Sequence, residues 1–230
     1  MSYPLTEDRA TDRRPPLHPV RLRLRPFTST LPYDRPQIVY RQSPYLFQYY
    51  AFRLWASKPQ HMLREIVERH LLASRLVQDV EREYGEHPPD YELGAEVVAI
   101  EEFDSGDVWY GHLAMRFELM RFRDKTVLWR GHFDRRRVVH KKEPIYVVRA
   151  LSQILEDEMR RIVAQLDSVL SSERGVPPTL TVPPPAEDDL AAPASEEPFE
   201  QTPAAPRREP GPPRPAPAEE DLIVPDEGGP

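Results

Sequence analysis

The sequence predicts an α+β fold: a mostly antiparallel sheet of about five strands with two helices packed on one face, followed by a disordered Pro-rich C-terminal tail. Three observations predict it. Between Tyr91 and Val139, three segments alternate apolar and polar residues with period two; two other stretches repeat apolar residues at helical spacing; and the composition changes at Val176. From Val176 to Pro230 the 230-residue chain holds 16 of its 28 prolines and 12 acids against 3 arginines, a net of 3 − 12 = −9. The remainder carries 28 basic and 26 acidic residues, or +2, so the overall charge of −7 belongs to the tail. Three regions follow: a charged segment over 1–19 with an edge strand at Tyr3–Leu5, a folded domain over 20–175, and an acidic tail over 176–230 too poor in apolar residues to order itself. A domain of about 150 residues buries roughly 70% of its unfolded-chain surface, enough for one core without staples. The chain has no cysteine, which excludes disulfides and thiolate metal sites.

In chain order, Val20, Leu22 and Leu24 alternate with Arg21, Arg23 and Arg25, a half-buried strand that Pro26 ends. Its arginines form a basic stripe, read either as a solvated face or as a site for acidic head groups. The near-neutral domain argues against nucleic acid as a partner. A second, interrupted strand covers Gln37–Arg41 and Pro44–Trp55. Within it Tyr40, Tyr45, Phe47, Tyr49, Tyr50, Phe52 and Trp55 place seven aromatics in sixteen residues. Neither of its faces is polar, so one packs on the domain and the other is expected to meet a partner or a lipid, with the outward member of the Tyr49/Tyr50 pair as its centre. A helix follows, opened by the capping box Ser57-Lys58-Pro59-Gln60, with Met62, Leu63, Ile66, Val67, His70 and Leu71 as its apolar stripe. His70 is read as a half-buried packing residue, since no second ligand stands at helical spacing. Leu76–Val80 reads as a short strand or a helix end.

A three-stranded meander spans Tyr91–Val139. If its first loop centres on Gly106, Leu93 faces Leu119, Ala95 Phe117, Val97 Met115, Ala99 Leu113 and Phe103 Trp109. A turn at Arg123-Asp124-Lys125 then sets Leu119 against Trp129, Phe117 against Gly131 and Met115 against Phe133. The other face carries Glu96 beside Arg116 and Glu118 beside Arg130, together with Val98, Ile100 and Ala114. A long helix runs from about Pro144 to Ser171 and stops before Gly175 and Pro177. In the tail, Leu222-Ile223-Val224 is either a docking motif or a chance apolar triplet.

No phosphate loop, dinucleotide fingerprint, HExxH or G-x-S-x-G motif occurs. The best polar cluster is His112, His132 and Asp134 on one face of the meander. Arg116 is expected opposite His132, which disfavours a base or metal role there. No catalytic residue, metal or cofactor is expected.

The segments YDRPQIVYR (Tyr33–Arg41) and LWASKPQHML (Leu54–Leu63), with the tyrosine-rich strand between them, resemble the ABC-type transport auxiliary lipoprotein family, the paraquat-inducible-protein-C-like lipoproteins. The resemblance covers about Val20 to Leu170, and Tyr33, Asp34, Arg35, Pro36, Arg41, Trp55 and Pro59 carry the motifs as structural residues. It implies a non-enzymatic subunit of the bacterial cell envelope, tethered by a lipid to the outer membrane and facing the periplasm. Its implied partners are an ABC transporter and an MCE-type lipid-binding protein, with a lipid and a second copy of the chain as further ones. The surface assigned to contact is Tyr45, Phe47, Tyr49, Tyr50 and Phe52, with Arg21, Arg23 and Arg25 secondary. Such proteins open with a signal peptide ending in a lipidated Cys, whereas Met1-Ser2-Tyr3-Pro4-Leu5 leads straight into charged residues. Two expectations stand: an upstream start that restores the leader, or a soluble variant. The alternative function is a cytoplasmic adaptor that docks through its tail.

Overall fold

The structure is a computed structural model that describes residues 15–43, 45–105, 108–184 and 189–191. Strand β1 (His18–Leu24) and the short β2 (Thr28–Ser29) lead through a 3-10 turn at Leu31–Tyr33 into β3 (Gln37–Ser43) and β4 (Leu46–Leu54). Helix α1 (Pro59–Ser74), β5 (Val77–Glu81), β6 (Tyr91–Asp104), β7 (Trp109–Arg121), β8 (Val127–Val139), helix α2 (Pro144–Arg174) and β9 (Asp189–Ala191) complete the order. The α+β class stands, but the sheet is larger than expected and partly parallel: among the described residues it has nine strands rather than about five. The reason lies in β6. One of its edges pairs antiparallel with β7 along its whole length. Its other edge takes three successive parallel partners: β1 at Leu22–Leu24, β2 at Thr28–Ser29 and β3 at Val39–Arg41. Pro26 and Pro32 interrupt that run because proline cannot donate to the ladder.

Two local expectations change and one open reading is decided. The interrupted strand is a hairpin, β3 and β4 pairing antiparallel from Gln37/Leu54 to Ser43/Leu46. The capping box does not form: α1 begins at Pro59 with no side-chain cap, and the Gln60 amide instead donates to Asp34 Oδ1 at 2.7 Å. Leu76–Val80 resolves as β5, which pairs parallel with β1. Gly106, the Tyr3–Leu5 strand and Leu222-Ile223-Val224 lie outside the described residues.

The meander keeps its expected register from Leu93/Leu119 to Val97/Met115, and from Leu119/Trp129 to Met115/Phe133. Beyond Val97 a β-bulge shifts β6 by one residue. Ala99 then pairs with Ala114, Ile100 with Leu113 and Phe103 with Tyr110, so Ala99–Leu113 and Phe103–Trp109 are not partners. The slip exchanges faces: Ile100 joins Leu113 under the helices, and Glu101 turns to the opposite side beside His112.

Both helices lie on one face. Leu63, Val67 and Leu71 of α1 and Val147, Leu151, Ile154, Leu155 and Leu166 of α2 are buried there, each worth about 1.5–3 kcal/mol of transfer free energy. α2 has 31 residues, about 46 Å, and ends at Gly175 in the left-handed region (φ 65°). The chain stays on the domain past that stop. Buried Asp167 accepts the backbone N–H groups of Thr179 (2.5 Å) and Leu180 (2.6 Å) and lies 2.7 Å from His18 Nε2, and Leu180 packs on the core. β9 then pairs with β8 at Arg135–Arg137.

At Gly111 the sheet meets α2 so closely that a Cβ would lie 3.0 Å from Ala150 Cβ and 3.2 Å from the Val147 carbonyl. Gly111→Val should therefore lower stability in urea by about 1–3 kcal/mol. Gly85→Ala, whose Cβ would meet a movable Glu81 side chain at 3.4 Å, should change it by less than about 0.5 kcal/mol.

Candidate functional site

β4 is the last strand on its side of the sheet, with β3 as its partner, so its outer backbone groups are open among the described residues. The aromatic run divides around it. Tyr45 (85% exposed), Leu46 (53%), Phe52 (98%) and Leu54 (56%) face outward. Phe47 packs edge-on against Tyr33, the Arg35 guanidinium lies 4.1 Å over the Tyr49 ring, and Tyr50 stacks at 4.7 Å on Tyr40 while donating to Glu102. Neither Tyr49 nor Tyr50 is thus the outward centre; both hold the hairpin to the domain. Burial and the Glu102 carboxylate push the Tyr50 phenol up to about 12.

The remaining motif residues converge behind this edge. Asp34 accepts from Lys58 Nζ (2.8 Å) and Gln60, the Pro36 carbonyl accepts the Trp55 backbone N–H (2.7 Å), and buried Pro59 opens α1. Tyr33 donates to Glu101 Oε2 (2.5 Å), and Arg41 ion-pairs with Glu101 Oε1. Glu101 is fully buried; it also faces His112 Nδ1 at 2.6 Å, while His112 Nε2 meets Asp134 Oδ1 at 2.8 Å. Of the predicted polar cluster, His112 and Asp134 come together, whereas His132 stands exposed opposite Arg116. Glu101 was not legible in advance. Its only signal is the pair Glu101-Glu102 inside an apolar strand, and only the bulge decides which of the two meets His112.

Burial works against ionising Glu101, but the hydrogen bond and charge of His112, with Arg41 and Tyr33, outweigh it and hold the carboxyl below its ordinary range. Burial likewise opposes charging His112, yet Asp134 and Glu101 together raise its pKa. His112 thus sits between two carboxylates, with each ring nitrogen within hydrogen-bond distance of one of them. Among the described residues no group of His, Asp or Glu could hold a metal ion.

Two side chains of the arginine stripe, Arg23 and Arg25, are engaged with their own chain. Arg23 pairs with Glu92 at 2.6 Å and lies 3.8 Å over Tyr84; Arg25 pairs with Glu118 at 3.0 Å and lies against Gly94, where a Cβ would sit 2.4 Å from its Nη2. The Arg21 backbone N–H bonds Asp90. Arg116 and Arg130 extend the stripe, paired with Glu96 (3.1 Å) and Glu118 (3.2 Å), so the groove alternates in sign. On the other face an apolar cleft of about 320 Å³ opens between the helices and the sheet, lined by Trp55, Met62, Ile66, Leu113, Val148 and Leu151. His70 sits half-buried at its rim, where burial lowers its pKa. No helix among the described residues is long and apolar enough to cross a membrane.

Residues 3–163 match the family model described as ABC-type transport auxiliary lipoprotein component. Among solved structures, protein XCC0632 from Xanthomonas campestris, of the DUF330 family, is similar at 21% identity and a TM-score of 0.61, over 71% of this chain and 92% of that one. An uncharacterized protein is similar at 15% identity and a TM-score of 0.56, over 66% of this chain and 94% of its own. These likenesses establish the shared fold. No curated protein matches.

The buried cluster sets a pH window. Because folding raises the pKa of His112, its stabilising contribution is complete below 6.5 and is lost as pH rises through the folded value. Folding lowers that of Glu101, so its contribution is complete above 4.5 and is lost as pH falls through the folded value. Urea denaturation from pH 3 to 10 should show both losses, and His112→Gln should flatten the alkaline one. Glu101→Ala leaves Arg41 and His112 without their shared anion and should cost about 3–5 kcal/mol.

Proposed function

The chain belongs to the ABC-type transport auxiliary lipoprotein component family, and from that premise we propose that it is a non-enzymatic subunit of a lipid transport system in the bacterial cell envelope. Its partners in this reading are an ABC transporter and an MCE-type lipid-binding protein, and it works by protein–protein contact. One observation carries the reading: among the described residues, β4 presents an open backbone edge together with Tyr45, Leu46, Phe52 and Leu54. A monomeric protein usually blunts such an edge with charge, proline or a covering segment. An edge left open and apolar fits a partner that adds a strand, with its main chain supplying affinity and its side chains meeting the aromatics.

The family's description as lipoproteins supports a place in the envelope, on the periplasmic side and associated with the outer membrane. The apolar cleft beneath α1 and α2 supports a further part of the reading, in which the subunit lines a lipid path. A homo-oligomer would use the same β4 edge. The Arg21/Arg23/Arg25 stripe takes a lesser role, because Arg23 and Arg25 already face carboxylates of the chain.

Phe52→Ser with Leu54→Ser tests this directly. Both side chains are exposed, so the urea stability should move by no more than about 0.5 kcal/mol. Co-purification of the transporter and MCE-type subunits with the chain should fall sharply. Unchanged co-purification would remove β4 as the contact surface. A wild-type chain recovered in the cytosol without transporter subunits would favour the adaptor alternative.

A further inference from the structure

Helices α1 and α2 share one face of the sheet but leave a seam open between them. The apolar cleft that begins at Trp55 follows this seam to His70, where a second cavity of about 540 Å³ continues past Met159 and Val163 to Leu180. His70 lines both, so the two join end to end as one furrow. Helical spacing builds its walls. On α1, Met62, Ile66 and His70 recur every fourth residue and stand half-buried; on α2, Leu151, Leu155, Met159 and Val163 recur in the same way. Burial lowers the pKa of His70, which favours the uncharged ring in the middle of the furrow.

The α1 wall from Met62 to Ser74 measures about 18 Å at a rise of about 1.5 Å per residue. That is close to the length of one acyl chain, because a hydrocarbon core of about 30 Å is two chains deep. The rim charges are unequal. Glu156 accepts from Arg160 at 3.2 Å, and Arg160 also pairs with Asp157. Arg69, exposed on the rim beside His70, forms no ion pair among the described residues. One cation is therefore left over, next to an apolar trough.

We propose that this furrow binds one long-chain carboxylate, with the acyl chain lying along the α1–α2 seam and the head group beside Arg69. The proposal rests on the lipid-path part of the function above and names the ligand class of that cleft. Each helix contributes one row of side chains to the walls, a width that suits a single chain; a two-chain lipid would need a second apolar channel beside the first. The unpaired guanidinium matches a single negative charge.

Titration of the full chain with cis-parinarate, a fluorescent long-chain carboxylate, tests this. Binding should saturate at one molecule per chain, and palmitate should displace it. Ile66→Arg sets a charge in the half-buried wall and should weaken binding about tenfold or more. Val148→Arg does the same from the facing helix and serves if far-UV circular dichroism shows Ile66→Arg unfolded. Arg69→Glu should weaken palmitate about fivefold or more while leaving uncharged hexadecanol within about twofold. Absence of saturable binding by the wild type would overturn the proposal. Co-purification through β4 does not depend on this furrow, so that result would leave the transport-subunit reading standing. Unchanged binding in a folded wall variant would place the ligand elsewhere. An Arg69→Glu effect that is absent, or equal for palmitate and hexadecanol, would overturn the head-group assignment. A two-chain phospholipid that displaces cis-parinarate at lower concentration than palmitate would overturn the single-chain ligand.

Discussion

The two-sided hydrogen bonding of β6 is the constraint on which the rest of the structure depends. One edge of this strand is occupied throughout by β7, and the other is shared in sequence by β1, β2 and β3. A strand paired on both edges and covered on one face by helices has little freedom to slide. The positions of the hairpin, of β5 and of both helices follow from where each N-terminal segment joins it. The parallel pairings bring together residues far apart in the chain, Val39 with Glu101 for example, so they are contacts of high sequence separation.

The bulge after Val97 gives that strand a second role. Without it, every second residue from Leu93 onward would face the helices, and Glu101 would be buried in an apolar layer without a charged partner. With it, Ile100 fills the helical layer and Glu101 meets His112, Arg41 and Tyr33 on the other side. A fully buried carboxylate survives there because its oxygens are met by the Tyr33 phenol, the Arg41 guanidinium and the His112 ring. The cluster ties the turn at Leu31–Tyr33, strand β3 and the meander to one point, directly behind the exposed edge. Its contacts brace that edge from behind.

The two sheet edges then divide the labour. β4 carries exposed aromatic and aliphatic side chains on an open ladder, the arrangement that supports a contact role for a transport auxiliary subunit. β8 is basic and covered by a segment of the chain's own acidic stretch. Asp167 secures the path to that cover by accepting the backbone amides of Thr179 and Leu180. Helix α2 therefore organises the end of the domain as well as its core.

Much of this was legible in the amino-acid order. Period-two and helical spacing placed the meander strands and both helices, Gly175 marked the end of α2, and opposed residue sizes fixed the meander register as far as Val97. Family resemblance rested on Tyr33–Arg41 and Leu54–Leu63, whose residues do converge. Periodicity and helix ends are legible because they depend on neighbours within a few residues, and the meander register because its strands follow one another in the chain. The parallel pairings, the hairpin, the use of Gln60 as a tertiary donor and the bulge were not legible. Each is decided by which distant backbone or carboxylate competes for the same donor. Sequence by itself therefore determined the meander strands with their register as far as Val97, both helices with their apolar faces, and the aromatic density of β4. Only the tertiary structure decided which aromatics point outward and where Glu101 finds its charge, because a one-residue slip reverses every face beyond it.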